Sequence, residues 1–310
     1  MNNFLKLLEC PTCHKGLKRE KQNLVCSRGH KFEYTGAVAK FANLNSYLEH
    51  EAQAWESSWR DTVPKKSMKV YEKNMKIFKK LGFWEESAEA ASSLPTTKND
   101  IVLDLGCGNG YSTANIKAKL AVGIDLSHRE LAAAKKKYPQ CEFVVADARQ
   151  LPFATGTFDK IVAINMLHHV LDPEKVLNEC NRVLKPGGTF ISVDPNLTNP
   201  FGYTTRGLFR LLQLKHIFPR FPQFALGDDE YQFTYPRYNR LFQSSDFSSY
   251  KIRPHRFERV LFLASIVFPF IANLPFYSRL AVFSSVAGNK LVSFGPMKYL
   301  CYFWICEAHK

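Results

Sequence analysis

Hydrophobic and polar positions alternate between two periods along the chain, and the switches between them outline the elements. IVLDL from Ile101 is a short apolar run around one carboxylate, which predicts a strand buried on both faces. Further runs of this kind are AVGIDLS, ending near Asp125; CEFVVAD, ending at Asp147; FDKIVAINMLHHV; and TFISVD. Between them lie segments of helical character. YSTANIKAKL follows the first strand, and HRELAAAKKKYP is opened by an S-x-x-E capping box at Ser127 and Glu130. LNECNRVL is started by Asp172-Pro173 and stopped by LKPGG. Strands alternating with helices predict an α/β fold with a parallel sheet. Towards the end, a helix over Arg237 to Ser245 precedes a sixth strand, FSSYKI, and a seventh in KYLCYFWICEAHK.

The first strand runs into Gly106, Gly108 and Gly110. Glycines between a strand and a helix let backbone approach a ligand with no Cβ in the way. Such a turn is shared with dinucleotide sites. Here Asp104 stands immediately before the glycines, and Tyr111 occupies the position three beyond Gly108 where a dinucleotide fingerprint needs glycine. Asp125 ends the second strand, where an acidic side chain can accept both hydroxyls of a ribose.

The set VLDLGCGNG, GIDLS, ADARQLPF, FDKIVAINMLHHV and LKPGG resembles the class I S-adenosylmethionine-dependent methyltransferases, in particular the small-molecule branch near the ubiquinone/menaquinone and sterol enzymes. The resemblance covers residues 100 to 195 closely and the rest loosely. It implies a Rossmann-like, seven-stranded, mostly parallel sheet with helices on both faces and a terminal antiparallel hairpin. It also implies that Asp104, Gly106, Gly108 and Gly110 hold the methionine part of S-adenosyl-L-methionine, and that Asp125, with Leu126 beside it, holds the ribose. Asp147 and Ala148 would contact the adenine, and Asn165 would line the site near the methyl. A sulfonium methyl is already activated, so the enzyme mainly aligns donor and acceptor. A hydroxyl or acidic-carbon acceptor would also need a base. His168 and His169, after the fourth strand, are candidates for that base, against a structural or pocket-lining role. NMLH follows this strand where exocyclic-amine nucleic-acid methyltransferases carry an N-P-P-Y-type motif, which argues against that class.

Cysteine spacing adds a second unit. Cys10 and Cys13 form one C-x-x-C knuckle, and Cys26 with His30 forms a C-x-x-x-H knuckle. Together they make a four-ligand set for a closed, structural tetrahedral Zn²⁺. A ribbon over residues 1–44 is too small for its own core, so the metal would supply folding energy. His14 is expected to be exposed and not a ligand. The segment resembles both the ribbon fronting large-subunit rRNA guanine-N1 methyltransferases and zinc-ribbon segments on small-molecule and glycan-related methyltransferases, so it does not choose the substrate. Cys107, Cys141, Cys180, Cys301 and Cys306 sit in apolar settings and are expected in the core.

Residues 45–98 are expected to be a helical cap and linker, with Trp55 and Trp59 on a face packed against the sheet or closing the cofactor pocket. The methyltransferase domain would run from 99 to 310, with an apolar insertion at about 254–297. Inside that insertion, residues 260–276 (VLFLASIVFPFIANLPF) are uncharged, with RPHRFER before them. Pro269, Asn273 and Pro275 interrupt the run, and its 17 residues stand at the bottom of the spanning range. It is read as a membrane-surface element or a lid over an apolar substrate, against an ordinary helical cap on the sheet.

Over 310 residues the formal net charge is +14, which points to an anionic partner: a membrane surface, RNA or a phosphorylated substrate. The opening residues lack the apolar core of a secretory signal, so the expected location is cytoplasmic, peripheral on a membrane. The leading expectation is a methyltransferase acting on a small-molecule or lipid-linked acceptor. The alternative is an rRNA or tRNA base methyltransferase, drawn from the charge and the ribbon.

Overall fold

The computed structural model describes residues 3–34, 38–41, 95–196, 233–255, 276, 290, 295–301 and 303–310. The helices expected over 46–93 and all of 260–276 except Phe276 lie outside the described residues.

The strand–helix alternation forms as its patterns predict. Strand β5 (Ile101–Leu105) leads into the short helix α1 (Tyr111–Asn115), and β6 (Leu120–Asp125) into α2 (His128–Lys137). Then come β7 (Glu142–Val145), β8 (Phe158–Ile164), α3 (Pro173–Val183), β9 (Leu184–Pro195), α4 (Tyr235–Gln243), β10 (Ser249–His255) and β11 (Phe303–His309). These strands lie in the order β7-β6-β5-β8-β9-β11-β10, parallel except for the β9–β11–β10 pairings. This is a Rossmann-like, mostly parallel sheet of seven strands.

Both faces are covered. On β5, Leu103 and Leu105 point into one core with Val176, Leu177 and Cys180 of α3 and Leu241 and Phe242 of α4. Val102 points into the other, with Leu131 and Ala134 of α2 and Phe143 of β7. The period of two that defines a strand thus distributes alternate residues between two helical layers. All five cysteines expected in the core are buried.

The N-terminal ribbon is joined to this sheet instead of standing apart as a unit. Its strands β1 (Leu17–Glu20), β2 (Asn23–Cys26), β3 (Lys31–Tyr34) and β4 (Ala39–Lys40) continue the order as β1-β2-β3-β4-β7. The joint is a parallel pairing of Ala39 with Val144 and Lys40 with Val145. Phe4, Leu8, Leu24 and Tyr34 share the core under α3, so the ribbon borrows its apolar cover from the larger domain.

Several local expectations are corrected. The capping box at α2 is only half made: Ser127 Oγ accepts from Glu130 N–H at 3.2 Å, but the Ser127 N–H donates to Asp125 Oδ1 at 2.9 Å. Asp172 occupies the N-cap of α3 without a side-chain cap bond, and its carboxylate takes Lys175 Nζ at 3.0 Å instead. LKPGG ends the helix but also begins β9, because Leu184 pairs with Phe158 before the register shifts to Thr189 opposite Lys160. The sixth strand is Ser249–His255, two residues later than the sequence pattern placed its start, and the preceding helix begins earlier, at Tyr235, where Thr234 caps it.

Candidate functional site

Strand order reverses beside β5: β6 and β7 lie on one side of it and β8 on the other. Such a switch point opens a crevice at the carboxyl ends of parallel strands. A cavity of about 220 Å³ lies there. Its floor is Gly106 and Gly108 after β5; Asp125 and Leu126 close the β6 side, and Ala146, Asp147, Ala148 and Arg149 the β7 side. Opposite, after β8, stand Asn165, Met166, His169, Val170 and Leu171. One side is therefore carboxylate-bearing and the other largely apolar.

The loop after β5 is folded back onto β6. Cys107 N–H donates to the Ile124 carbonyl at 3.0 Å, and Gly108 N–H donates to Asp125 Oδ2 at 2.9 Å. Gly108 has φ +48, and the site of a Cβ there has no atom within 4 Å, so this cavity-lining glycine has open space beside it. Gly110 serves a different purpose. At φ +73, a Cβ there would come 2.8 Å from the Phe143 ring and 2.9 Å from Ala134, so its absence lets α1 settle against the sheet.

Asp104 does not reach the cavity. It is 1% exposed, and its Oδ2 accepts the hydroxyls of Ser112 at 2.5 Å and Thr113 at 2.7 Å. Burial raises its carboxyl to about 6, partly offset by those two hydroxyls. Asp104 thus anchors the start of α1 under the glycine loop, and together with Gly110 it shapes the site without lining it. Asp125 does line the cavity. Each of its oxygens accepts one backbone N–H, from Gly108 and Ser127, which leaves further lone pairs for a ligand. Burial raises its carboxyl too, against the pull of those N–H groups.

Asp147 and Ala148 line the cavity, but the Asp147 carboxylate is already gripped by Arg149, with Nη2 to Oδ2 at 2.9 Å and Nε within 3.1 Å of both oxygens. Arg149 is a cavity residue that sequence reasoning missed; its only signal was its place two residues after Asp147. Asn165 adopts φ +54, a left-handed conformation that asparagine tolerates, and its N–H donates to the Val193 carbonyl at 2.7 Å.

The two histidines separate. His168 is 5% exposed and turned away from the cavity, its Nδ1 2.9 Å from Asp194 Oδ1. Asp194 Oδ2 also accepts from Tyr238 OH at 3.4 Å, and Tyr238 meets Ser192 in a short hydrogen bond. His168 therefore sits outside the cavity lining, against Asp194. His169 does line the cavity, its ring 4.0 Å from that of His168. Burial, with His168 as a further influence, lowers its pKa to about 3, so it is neutral near pH 7 and a weak proton acceptor.

In the N-terminal ribbon, the ligand atoms of Cys10, Cys13, Cys26 and His30 all lie within 4.8 Å of one another. Cys13 Sγ is 3.6 Å from Cys26 Sγ, and His30 Nδ1 is 3.3 Å from the sulfurs of both Cys10 and Cys26. A tetrahedron with Zn–S of about 2.3 Å and Zn–N of about 2.0 Å has edges of about 3.5 to 3.8 Å, so the donors fit that ion. Turns hold them: His14 N–H to the Cys10 carbonyl at 2.8 Å, and Gly29 N–H to the Cys26 carbonyl at 2.9 Å. His14 stays outside, bonded to Glu9 at 2.8 Å.

Residues 103–192 match the family described as "Methyltransferase domain". Among curated relatives, the chain is 34% identical over 131 residues to a Caenorhabditis elegans sterol 4-C-methyltransferase, covering 39% of each protein. It is 32% identical over 129 residues to a Renibacterium salmoninarum demethylmenaquinone methyltransferase, covering 40% of this chain and 51% of that protein. It is 38% identical over 100 residues to the Arabidopsis thaliana chloroplastic 2-methyl-6-phytyl-1,4-hydroquinone methyltransferase, covering 30% of each. The chain thus spans about half or less of the length of these relatives. Among solved structures, it resembles a chain from the complex of the Haloferax volcanii Trm112 methyltransferase activator with a methyltransferase, at TM-score 0.51 and 18% identity, covering 84% of this chain and 97% of that one. That likeness concerns the fold.

Proposed function

We propose that this protein transfers a methyl group from S-adenosyl-L-methionine to an apolar small molecule. The observation that carries the reading is the cavity itself, with a carboxylate wall at Asp125, an open glycine floor at Gly108 and an apolar wall at Met166, Val170 and Leu171. When bound, the sulfonium supplies an activated methyl. Asp125 accepts the ribose hydroxyls with the lone pairs left free by Gly108 and Ser127. The Gly106–Gly108 backbone would hold the methionine portion, and Asp147 and Ala148 would contact the adenine. Neutral His169 adds no positive charge to the cavity, which favours a cationic donor there.

The relatives named for sterol, menaquinone and hydroquinone acceptors support a lipid-like acceptor. Their names lend the RNA alternative no support. Residues 260–275 of the apolar run lie outside the described residues. Among the described residues no helix is long and apolar enough to cross a membrane.

We further propose that Cys10, Cys13, Cys26 and His30 hold one Zn²⁺. Four protein ligands leave no open position for water, so the ion's contribution is to the fold. Equilibrium dialysis against labelled S-adenosylmethionine and elemental analysis test both points. One cofactor and one zinc per chain are expected; absence of cofactor binding at millimolar concentration would falsify the transferase reading.

A further inference from the structure

The cofactor-side wall of the cavity, residues 146–149, is tied to the N-terminal ribbon at both ends. Before it, Lys40 pairs with Val145 and Phe41 N–H donates to the Val145 carbonyl at 2.8 Å. After it, Gln150 Nε2 donates to the Pro11 carbonyl at 2.9 Å. Pro11 is buried inside the Cys10–Cys13 knuckle itself. Just beyond, Glu9 N–H donates to the Pro152 carbonyl at 3.0 Å and Ala154 N–H to the Leu7 carbonyl at 3.2 Å. Arg182 locks this seam: its guanidinium reaches Glu9 Oε1 at 3.2 Å, the Phe153 carbonyl at 2.8 Å and the Leu151 carbonyl at 3.0 Å.

The knuckle therefore stands next to the segment that carries Asp147, Ala148 and Arg149. The Cys10–Cys13 turn is part of the four-ligand set that an ion would tie together, in addition to the apolar cover that the larger domain supplies. An ion held there would fix the Pro11 carbonyl and the Glu9 N–H, the groups that anchor the far end of the wall.

We propose that the Cys/His knuckle is a positioning element for the cofactor cavity, so that metal binding at the N-terminus and cofactor binding at the sheet's carboxyl edge strengthen each other. This rests on the cofactor and zinc readings above. Gln150 is the positioning residue that couples them; it lines neither site. Because coupling is reciprocal, the cofactor product should also retain the metal.

The test is calorimetric titration of S-adenosylhomocysteine into zinc-loaded full-length wild type, into the same protein stripped by a chelator, and into zinc-loaded Gln150→Met. We expect affinity about tenfold weaker in the stripped protein, restored by added Zn²⁺, within the range usual for coupled sites. Gln150→Met should bind about threefold more weakly while holding its full zinc content and melting near the wild-type temperature. S-adenosylhomocysteine should slow zinc release to a chromogenic chelator in wild type, and less so in Gln150→Met. If the stripped protein stays folded by circular dichroism and binds as tightly as the loaded protein, the proposal is overturned. If it unfolds, wild-type affinity in Gln150→Met overturns it. Absence of binding to zinc-loaded wild type would instead refute the cofactor reading, and the coupling with it.

Discussion

The Asp125 carboxylate accepts the Gly108 N–H at 2.9 Å, so the end of β6 fixes the glycine loop that follows β5. One side chain thereby shapes the floor of the cavity and presents its remaining lone pairs to whatever enters. Asp125→Ala removes both functions. Hydrogen bonds to charged groups contribute about 1.5–3 kcal/mol each, so cofactor affinity should fall at least tenfold for each ribose hydrogen bond that Asp125 no longer accepts. Dialysis against labelled S-adenosylmethionine measures this, and affinity within a factor of two of wild type would remove Asp125 from the site.

The two glycines after β5 should fail differently. Gly110→Ala drives a Cβ to 2.8 Å from Phe143 at φ +73, so it should destabilise the fold by about 2–4 kcal/mol in denaturant unfolding. Gly108→Ala meets no protein atom and carries only the backbone strain of φ +48, about 1 kcal/mol. Gly108 lines the cavity, so the larger effect should be on cofactor affinity. Equal effects of the two variants on stability and binding would contradict the division of labour.

Asp104 gives a pH signature. Its folded-state carboxyl is raised to about 6 from an ordinary 3.8, so the folded protein holds this proton more tightly than the unfolded chain. The contribution favours the fold below about pH 4 and declines as pH rises towards 6, by an amount on the order of 3 kcal/mol. Ser112 and Thr113 both donate to the same oxygen, which an amide oxygen can replace. Asp104→Asn should therefore gain stability relative to wild type as pH rises from 4 to 6 and hold a constant difference above. Parallel stability curves for the two proteins would show that Asp104 does not titrate there.

Much of this architecture was legible because two independent signals coincided at each element. β5 combined an apolar run with the glycines behind it, and α2 combined a cap residue with helical periodicity. The convergence of Cys10, Cys13, Cys26 and His30 was legible from spacing alone, since each knuckle closes within a single turn. The joint between ribbon and sheet was not, because β4 is two residues long and a pairing of Ala39 with Val144 leaves no periodic trace. Nor could the pattern separate His168 from His169. They occupy a single 3-10 turn with their rings 4.0 Å apart, and the partner that tells them apart, Asp194, lies 26 residues from His168. The two hydroxyls on Asp104 likewise come from residues eight and nine positions on, which no strand pattern reveals.

That Asp194 pairing predicts a contrast between neighbours. Asp194→Ala leaves the His168 imidazole and the Tyr238 hydroxyl without their buried acceptor, and should cost about 3 kcal/mol or more of stability. His169→Ala should cost less, since the ring faces the cavity, and should act mainly on turnover or acceptor affinity. Thermal denaturation of the two variants checks this, and a larger loss for His169→Ala would reverse the assignment.

Methyl transfer to an apolar small molecule is the central claim. Methyl-tritiated S-adenosylmethionine and the purified protein, added to a lysate of cells lacking it, test this most directly once the products are divided into organic-extractable and RNA fractions. We expect label in the organic phase that disappears with Asp125→Ala. Label confined to RNA would contradict the claim and make the positive charge and the ribbon the recognition surface.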